Sequence, residues 1–419
     1  MKQSVIIIGA GFAGIQLARN LDEDLFDVLL IDKINHHQFQ PLFYQVATSQ
    51  LEPSNISFPL RHIFNTKKNV RIRLAEVRSI NQGNKSIQTS IGEFSYDILI
   101  NAIGCKTNYY GNEEIQKNAY SLKSTYDAIR IRNHILQTFE DIISADEDKK
   151  EALLNLVIVG AGPTGVELAG AFAEIKKQIL PKDYPRIDFS KFNIVLVEGT
   201  NFVLGPMSDT ARKASENYLI DMGIELLKEV FVKSYDGEVL ILNNGKNIKT
   251  KTVIWAAGVT ANHLDGISTE MITFGNRIKV DRFNKVLDSD SIYAIGDIAY
   301  METPLYPKGH PQLANVAINQ AKNLARNLKA KIKGEKLKEY EYKDLGSMAT
   351  IGRNKAVADI GSFSFKGYFA WLIWMFLHLM LILSVKNKLM IFINWTWEYI
   401  SKDSSLRLIL TPDKTDKPN

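Results

Sequence analysis

The sequence predicts an α/β protein of two similar doubly wound halves followed by a short helical tail, and three features predict it. An apolar strand, a glycine turn and a helix follow one another at VIIIGAGFAGIQLARNL and again at LVIVGAGPTGVELAGAFAEI. Each is trailed by a second apolar strand, FDVLLID in the first case and NIVLVE in the other, the opening of a βαβ unit. A Trp-rich apolar run lies near the C-terminus. At 419 residues, 45% hydrophobic and 23% charged, the chain has the length for two cores and the balance of a globular protein.

In the first half, Gly9, Gly11 and Gly14 stand between strand and helix. The turn must be tight, the backbone must approach a pyrophosphate closely, and helix must pack hard on strand, so side chains are excluded at these points. The helix N-terminus adds partial positive charge for the phosphates. Phe12 and Ala13 complete this loop, and Asp32, followed by Lys33, ends the second strand where a carboxylate accepts from ribose hydroxyls.

In the second half, Gly160, Gly162 and Gly165 repeat the arrangement, with Pro163 and Thr164 at the start of the helix and Glu198 at the end of the following strand. The spacing to Glu198 is longer, which predicts an extended helix and a Pro-containing loop around 180–192. A Glu there binds both ribose hydroxyls and repels a 2′-phosphate, so this loop is expected to take NADH rather than NADPH.

Two further segments match between the halves. YDILINAIG and KTVIWAAG each run a strand into a small-residue turn, placing Ala102 and Gly104 beside the first loop and Ala257 and Gly258 beside the second. Later, DSDSIYAIGDIA returns to a buried strand ending in Gly296 and Asp297, which reads as the chain coming back to complete the first half. A tightly held FAD would benefit most from being gripped by two distant pieces, so FAD is assigned to the first loop, with Asp297 on its ribityl or phosphate region. The expected fold class is therefore two Rossmann-like dinucleotide-binding domains with a C-terminal membrane-associating helical segment. The expected boundaries are 1–120 with 276–340 for FAD, 121–150 for a connecting helix, 151–275 for NADH, and 341–419 for the tail, with anchoring helices at about 366–400.

The net charge is only +5 and no dense Lys/Arg block is present, which argues against nucleic acid as a partner. One cysteine, Cys105, leaves no internal disulfide, redox pair or thiolate metal cage, and no metal is expected. The N-terminus enters a strand at Val5 without the regions of a secretory signal, so the bulk is expected to face the cytoplasm.

Tyr368 to Val385 reads YFAWLIWMFLHLMLILSV, and a second apolar-aromatic run ends near Ile400. As one helix the first run would be borderline for spanning a hydrocarbon core of ~30 Å, leaving a single span near 368–390 open. Trp371, Trp374, Trp395 and Trp397 cluster there, which favours a helix pair lying in the membrane interface. His378 is expected to be a packed or interfacial residue.

The sequence resembles the type II NADH dehydrogenases, also called non-electrogenic NADH:quinone oxidoreductases, over nearly its whole length. The resemblance rests on the glycine loops, NHHQFQPLFYQVAT at 35–48, VELAGAFAE at 166–174, AIGDIA, YKDLGSMATIGRNKAVADIG and AWLIWMFLHL. It implies hydride transfer from NADH as co-substrate to a non-covalent FAD, then two electrons to a membrane quinone, menaquinone or ubiquinone, without proton pumping. It also implies a peripheral place on the cytoplasmic side of the cell membrane and a possible homodimer. Glu167 of the GVE segment would lie near the nicotinamide and flavin as the catalytic residue. Val77, Ala314 and Lys366 complete the expected FAD set, and Gln45 is a quinone candidate. Where the family commonly carries AQxAxQ, this chain has Ala314-Asn315-Val316-Ala317-Ile318-Asn319, so Asn315 and Asn319 keep the amides one methylene shorter as further quinone candidates.

The lone cysteine removes the readings that need paired redox thiols. A soluble NADH-dependent ferredoxin or rubredoxin reductase is the rival enzyme, and a redox-sensing or scaffold protein binding both dinucleotides is the rival of another class.

Overall fold

The computed structural model describes residues 2–403 and 406–410 of the chain. The remaining tail residues, 404–405 and 411–419, lie outside the described residues. Two compact units emerge, each assembled from three pieces: Met1–Gln38, Phe58–Lys106 and Val259–Lys343 in one, Phe39–Ser57, Thr107–Gly258 and Asp344–Asn419 in the other. The division runs differently from the boundaries expected from sequence. Residues 39–57 and 107–120 go with the second unit, as does the tail from Asp344, while 259–275 and 341–343 go with the first.

The first unit is built on a five-stranded parallel sheet in the order Ile292–Ala294, Ile98–Asn101, Gln3–Ile8, Phe26–Asp32, Val70–Leu74. The strand of the AIGD segment returns to the first sheet, as the sequence expected, and pairs there with the strand of the INAIG turn, Tyr293 opposite Ile100. Near-continuous apolar strands such as SVIII and DVLLI are those of a sheet covered on both faces. Val5, Ile7, Val28 and Leu30 point to one face, under the helices Phe12–Asn20 and Ala314–Lys333, where they meet Ala13, Leu17, Ala317 and Leu324. Ile6, Ile8, Leu29 and Ile31 point to the other, against Ile278, Val286, Ile298 and Met301.

The second unit repeats the plan, with Tyr120–Ser121, Thr252–Trp255, Asn155–Val159, Asn193–Val197 and Glu225–Leu227 in one parallel sheet. The duplication holds to the register. Ile8 stands opposite Ile31 and Asn101, and Val159 stands opposite Val197 and Trp255. The long helix Pro163–Gln178, the short helix Leu180–Asp183 and a turn at Phe189–Lys191 fill the extended crossover the spacing predicted.

The tail opens with a three-stranded antiparallel sheet, Ser347–Gly352, Lys355–Ile360 and Phe363–Lys366. Two helices follow, Tyr368–Leu381 and Val385–Ser401. The expected single run of helix to Val385 is interrupted at Ile382, whose extended backbone ends the first helix. Its 14 residues span only about 21 Å at ~1.5 Å each. Among the described residues no helix is long and apolar enough to cross a membrane.

Candidate functional site

Both glycine loops have the same construction. Gly9 has φ +99° and a Cβ there would sit 2.4 Å from the Ala102 carbonyl oxygen; Gly160 has φ +101° and its Cβ would sit 2.8 Å from that of Ala256. A Cβ on Gly14 would fall 1.8 Å from the Gly9 oxygen, and one on Gly165 at the same 1.8 Å from the Gly160 oxygen. The middle glycines, Gly11 and Gly162, face open space, the side from which a pyrophosphate must approach. Asp32 Oδ2 accepts from the Ala10 N–H at 2.6 Å, and Glu198 Oε2 from the Ala161 N–H at 2.7 Å. The two acids, picked out for riboses, therefore also brace their loops, and both loops fit a dinucleotide.

The other expected FAD residues are spread over both units. In the first, Asp297 accepts from the Cys105 thiol at 2.8 Å, Gly296 donates its N–H to buried Gln320 at 2.8 Å, and Gly104 has φ +67°. Phe12 and Ala13 begin the glycine helix, Ala102 is buried, Val77 is half-buried on a strand, and Lys33 is an exposed partner of Glu76. Lys366 lies exposed in the second unit, on the edge strand opposite Val357. In that unit Pro163 and Thr164 open the glycine helix, and Ala257 and Gly258 follow the Thr252–Trp255 strand, as the sequence placed them. Asn315 and Asn319 are half-buried in the first two turns of Ala314–Lys333.

The second unit contains a pocket of about 80 Å³ that opens to solvent. One wall is the Pro163–Gln178 helix, on which Glu167, Ala171, Glu174 and Gln178 share a face by the 3.6-residue period. Gly170 sets that wall's position, because a Cβ there would lie 1.7 Å from the Ile351 carbonyl oxygen. The helix thereby seats directly on the strand bearing Thr350 and Gly352. Tyr44 and Gln45 form a second wall, and Trp371, Trp374, Trp395 and Glu398 of the tail helices a third.

Its polar groups are tied together. Gln45 donates to the Tyr44 hydroxyl at 2.8 Å and accepts from the Trp395 indole N–H at 2.9 Å. Arg353 donates its backbone N–H to Glu174 and, through its guanidinium, to the Glu398 carbonyl at 2.6 Å, while lying over the Tyr399 ring. Burial pushes the Glu167 carboxyl up to about 8, against the opposing pull of the Thr350 backbone and the Trp374 indole. Burial also raises Glu398 to about 8, and the charge of Glu174 adds to it. A carboxyl of this kind is protonated at neutral pH and serves as a proton donor.

The pocket unites Glu167 and Gln45 of the sequence-predicted site and adds residues that sequence reasoning missed. Trp374 is 2% exposed and Trp395 7%, so two of the tryptophans assigned to the membrane interface face inward instead. The signal was available, since Trp395, Glu398, Tyr399 and Lys402 recur at i, i+3, i+4 and i+7, one face of a helix. His378, as expected, is packed; it stacks on Trp374 with ring centroids 4.1 Å apart, and burial lowers it to about 4. A Trp395→Phe variant leaves the buried Gln45 oxygen without its donor, so a loss of about 1–3 kcal/mol in urea unfolding is expected, with the fold retained.

Comparison with known proteins agrees with this architecture. The family model for pyridine nucleotide-disulphide oxidoreductases matches residues 3–321, and that for the NDH2 C-terminal domain matches 345–402. Among relatives, the type II NADH:quinone oxidoreductase Ndh of Mycobacterium tuberculosis is 33% identical over 96% of this chain and 89% of its own length. An internal alternative NAD(P)H-ubiquinone oxidoreductase of Arabidopsis thaliana mitochondria is 27% identical over 95% of this chain and 84% of its own. The fold matches that of NDH2 from Plasmodium falciparum, solved in complex with NADH, with a TM-score of 0.89 at 22% identity, over 98% of this chain and 100% of the other.

Proposed function

The chain belongs to the type II NADH:quinone oxidoreductases, and from that premise we propose that its quinone is reduced at the pocket of Glu167 and Gln45. The enzyme transfers reducing equivalents from NADH to a quinone without pumping protons. A bound flavin would supply the redox chemistry, accepting a hydride and releasing two electrons. We assign FAD, held non-covalently, to the loop of Gly9, Gly11 and Gly14, and NADH to the loop of Gly160, Gly162 and Gly165. In both, the exposed backbone of the middle glycine and the helix N-terminus receive the phosphates.

The observation that carries the pocket assignment is a carboxyl raised to about 8 in a cavity walled by three tryptophans and two tyrosines. NADH, one proton and quinone give NAD⁺ and quinol, so each turnover draws one proton from solution. Glu167, protonated at neutral pH, holds that proton at its carboxyl for a quinone oxygen. The Gln45 amide and Tyr44 hydroxyl orient the headgroup, while Trp371, Trp374 and Trp395 exclude water from its ring.

The test compares electron acceptors. In a Gln45→Leu variant the rate with a water-soluble quinone is expected to fall at least tenfold, and the rate with ferricyanide, an acceptor that does not need the pocket, to stay within twofold. Equal losses with both acceptors would count against the assignment. Running the wild type with ubiquinone and menaquinone analogues identifies the preferred ring.

We also assign the tail to the membrane surface, as a peripheral attachment. Phe369 and Phe376 on one helix, and Val385, Phe392, Trp397 and Ile400 on the other, are all more than half exposed, with Lys386 and Lys388 beside them. Such a face inserts among acyl chains with its lysines at the headgroups. Exchanging Phe376, Phe392 and Trp397 together for Ser is expected to move most of the protein from the vesicle pellet to the supernatant in sedimentation with anionic liposomes. Retention in the pellet would refute the assignment. A homodimer through this face is the reading that equal pelleting with a halved mass would favour.

A further inference from the structure

The first unit holds a cavity of about 450 Å³ that opens to solvent, within the range of small-molecule sites. None of its lining residues belongs to the glycine loop or to the Gly296 and Asp297 turn. One wall is the C-terminal half of the helix Ala314–Lys333, where Leu324, Asn327, Leu328 and Lys331 share a face at i, i+3, i+4 and i+7. Lys331 stands about three turns beyond Gln320, the partner of the Gly296 N–H, or about 16 Å along the axis. Facing that wall are Phe283, Lys285 and Tyr293, and Glu335 and Leu337 close a third side.

Part of the polar lining is already spent. Asn327 donates its amide to the Lys338 carbonyl at 2.8 Å and accepts from the Lys338 N–H at 2.9 Å. Asp281 Oδ1 accepts from the N–H groups of Phe283 and Lys285, both at 2.8 Å, while its Oδ2 accepts no hydrogen bond among the described residues. The cations are less committed. Lys285 is 3.8 Å from Asp290, a carboxylate in open water, and Lys331 reaches the Tyr293 hydroxyl only at 3.5 Å. Lys285 and Tyr293 pair across a β-bridge, so their side chains leave the same face and the two ammonium groups and the phenol gather on one side. With Asp281 and the exposed Glu335, the lining carries two positive and two negative charges beside the apolar surface of Phe283, Leu324, Leu328 and Leu337.

We propose that this cavity binds a free α-amino acid with a large apolar side chain. Its carboxylate lies on Lys331 and the Tyr293 hydroxyl, its ammonium on Asp281 Oδ2, and its side chain along Phe283, Leu324 and Leu328. A simple anion would be repelled by the two acids and a simple cation by the two lysines, so each loses much of what it gains, whereas a zwitterion answers both signs. The side chain adds the gain of leaving water. Tyr293 belongs to the strand that runs on into Gly296 and Asp297, so an occupant bears on the same strand that ends at the expected flavin turn. The proposal does not rest on the quinone assignment.

Isothermal titration of the intact flavin-loaded protein with L-phenylalanine, 3-phenylpropionate, phenethylamine and glycine tests it. Phenylalanine is expected to bind at least tenfold more tightly than 3-phenylpropionate, which lacks the ammonium, or phenethylamine, which lacks the carboxylate, and glycine to give no measurable heat. Asp281→Asn keeps the oxygen that the two backbone N–H groups need and removes the charge, so it should bring phenylalanine down to the affinity of 3-phenylpropionate. Lys331→Met, at an exposed position, should bring it down to that of phenethylamine. No heat with phenylalanine, equal affinity for phenylalanine and either analogue in the wild type, or an unchanged phenylalanine affinity in either variant would overturn the site. Glycine binding as tightly as phenylalanine would overturn its apolar part. Should Asp281→Asn fail to fold, Leu337→Trp, at a half-buried position, fills the cavity without touching a charge and is expected to cost phenylalanine at least tenfold; no loss there would also overturn the proposal.

Discussion

A Gly14→Ala enzyme is expected to fold but to purify without yellow colour, while a Gly165→Ala enzyme keeps its flavin and no longer bleaches it with NADH. In each case the new methyl lies 1.8 Å from a carbonyl oxygen of the same loop, Gly9 or Gly160, so the backbone that receives the phosphates must shift. Overpacking of this kind costs about 1–3 kcal/mol or more, which is roughly ten- to a hundredfold in affinity. The flavin-to-protein absorbance ratio and stopped-flow bleaching measure the two effects separately. If the first variant kept its flavin and the second lost it, the two ligands would have to exchange loops.

Replacing Glu167 by Gln is expected to slow quinone reduction about a hundredfold, leaving flavin bleaching by NADH within twofold. The wild-type rate should fall as pH rises through about 8, where the carboxyl loses its proton, and the variant should lack that limb. Stability supplies an independent reading. The unfolded chain releases the proton near 4.5 and the folded chain holds it to about 8, so across that window the native state binds more protons. Stability from this group is therefore complete below about 4.5 and is lost as pH climbs to 8, by an amount on the order of a few kcal/mol. Thermal melts of the Gln variant should decline less over the same range. A rate and a melting profile both identical to wild type would remove Glu167 from the mechanism.

Much of the fold was legible because its determinants are local. A strand, a glycine turn and a helix in succession fix a βαβ unit within some thirty residues, and the acids Asp32 and Glu198 then fall where the second strand ends. The return of Ile292–Ala294 to the first sheet could also be read, since AIGD ends an apolar strand in a turn. The pocket was only half legible. Glu167 and Gln45 were picked out, but nothing local says that Phe39–Ser57 leaves the first unit, or that Trp374 and Trp395 turn inward. An apolar aromatic run satisfies a lipid face and a protein face equally well, and only the packing of Ala370, Trp374, Ile391 and Trp395 against the rest of the unit decides which residues go where.

The threading of the chain through its two units also sets a timetable for biosynthesis. The second unit's sheet has all five strands once Trp255 has left the ribosome, whereas the N-terminal sheet waits for Ile292–Ala294 and for the helix Ala314–Lys333 that covers it. At ~5–20 residues per second the earlier-made strands stand idle for seconds, with an apolar face uncovered. The first part of the polypeptide to be translated is thus among the last to be finished, and the nascent N-terminal half is where a holding chaperone would be needed.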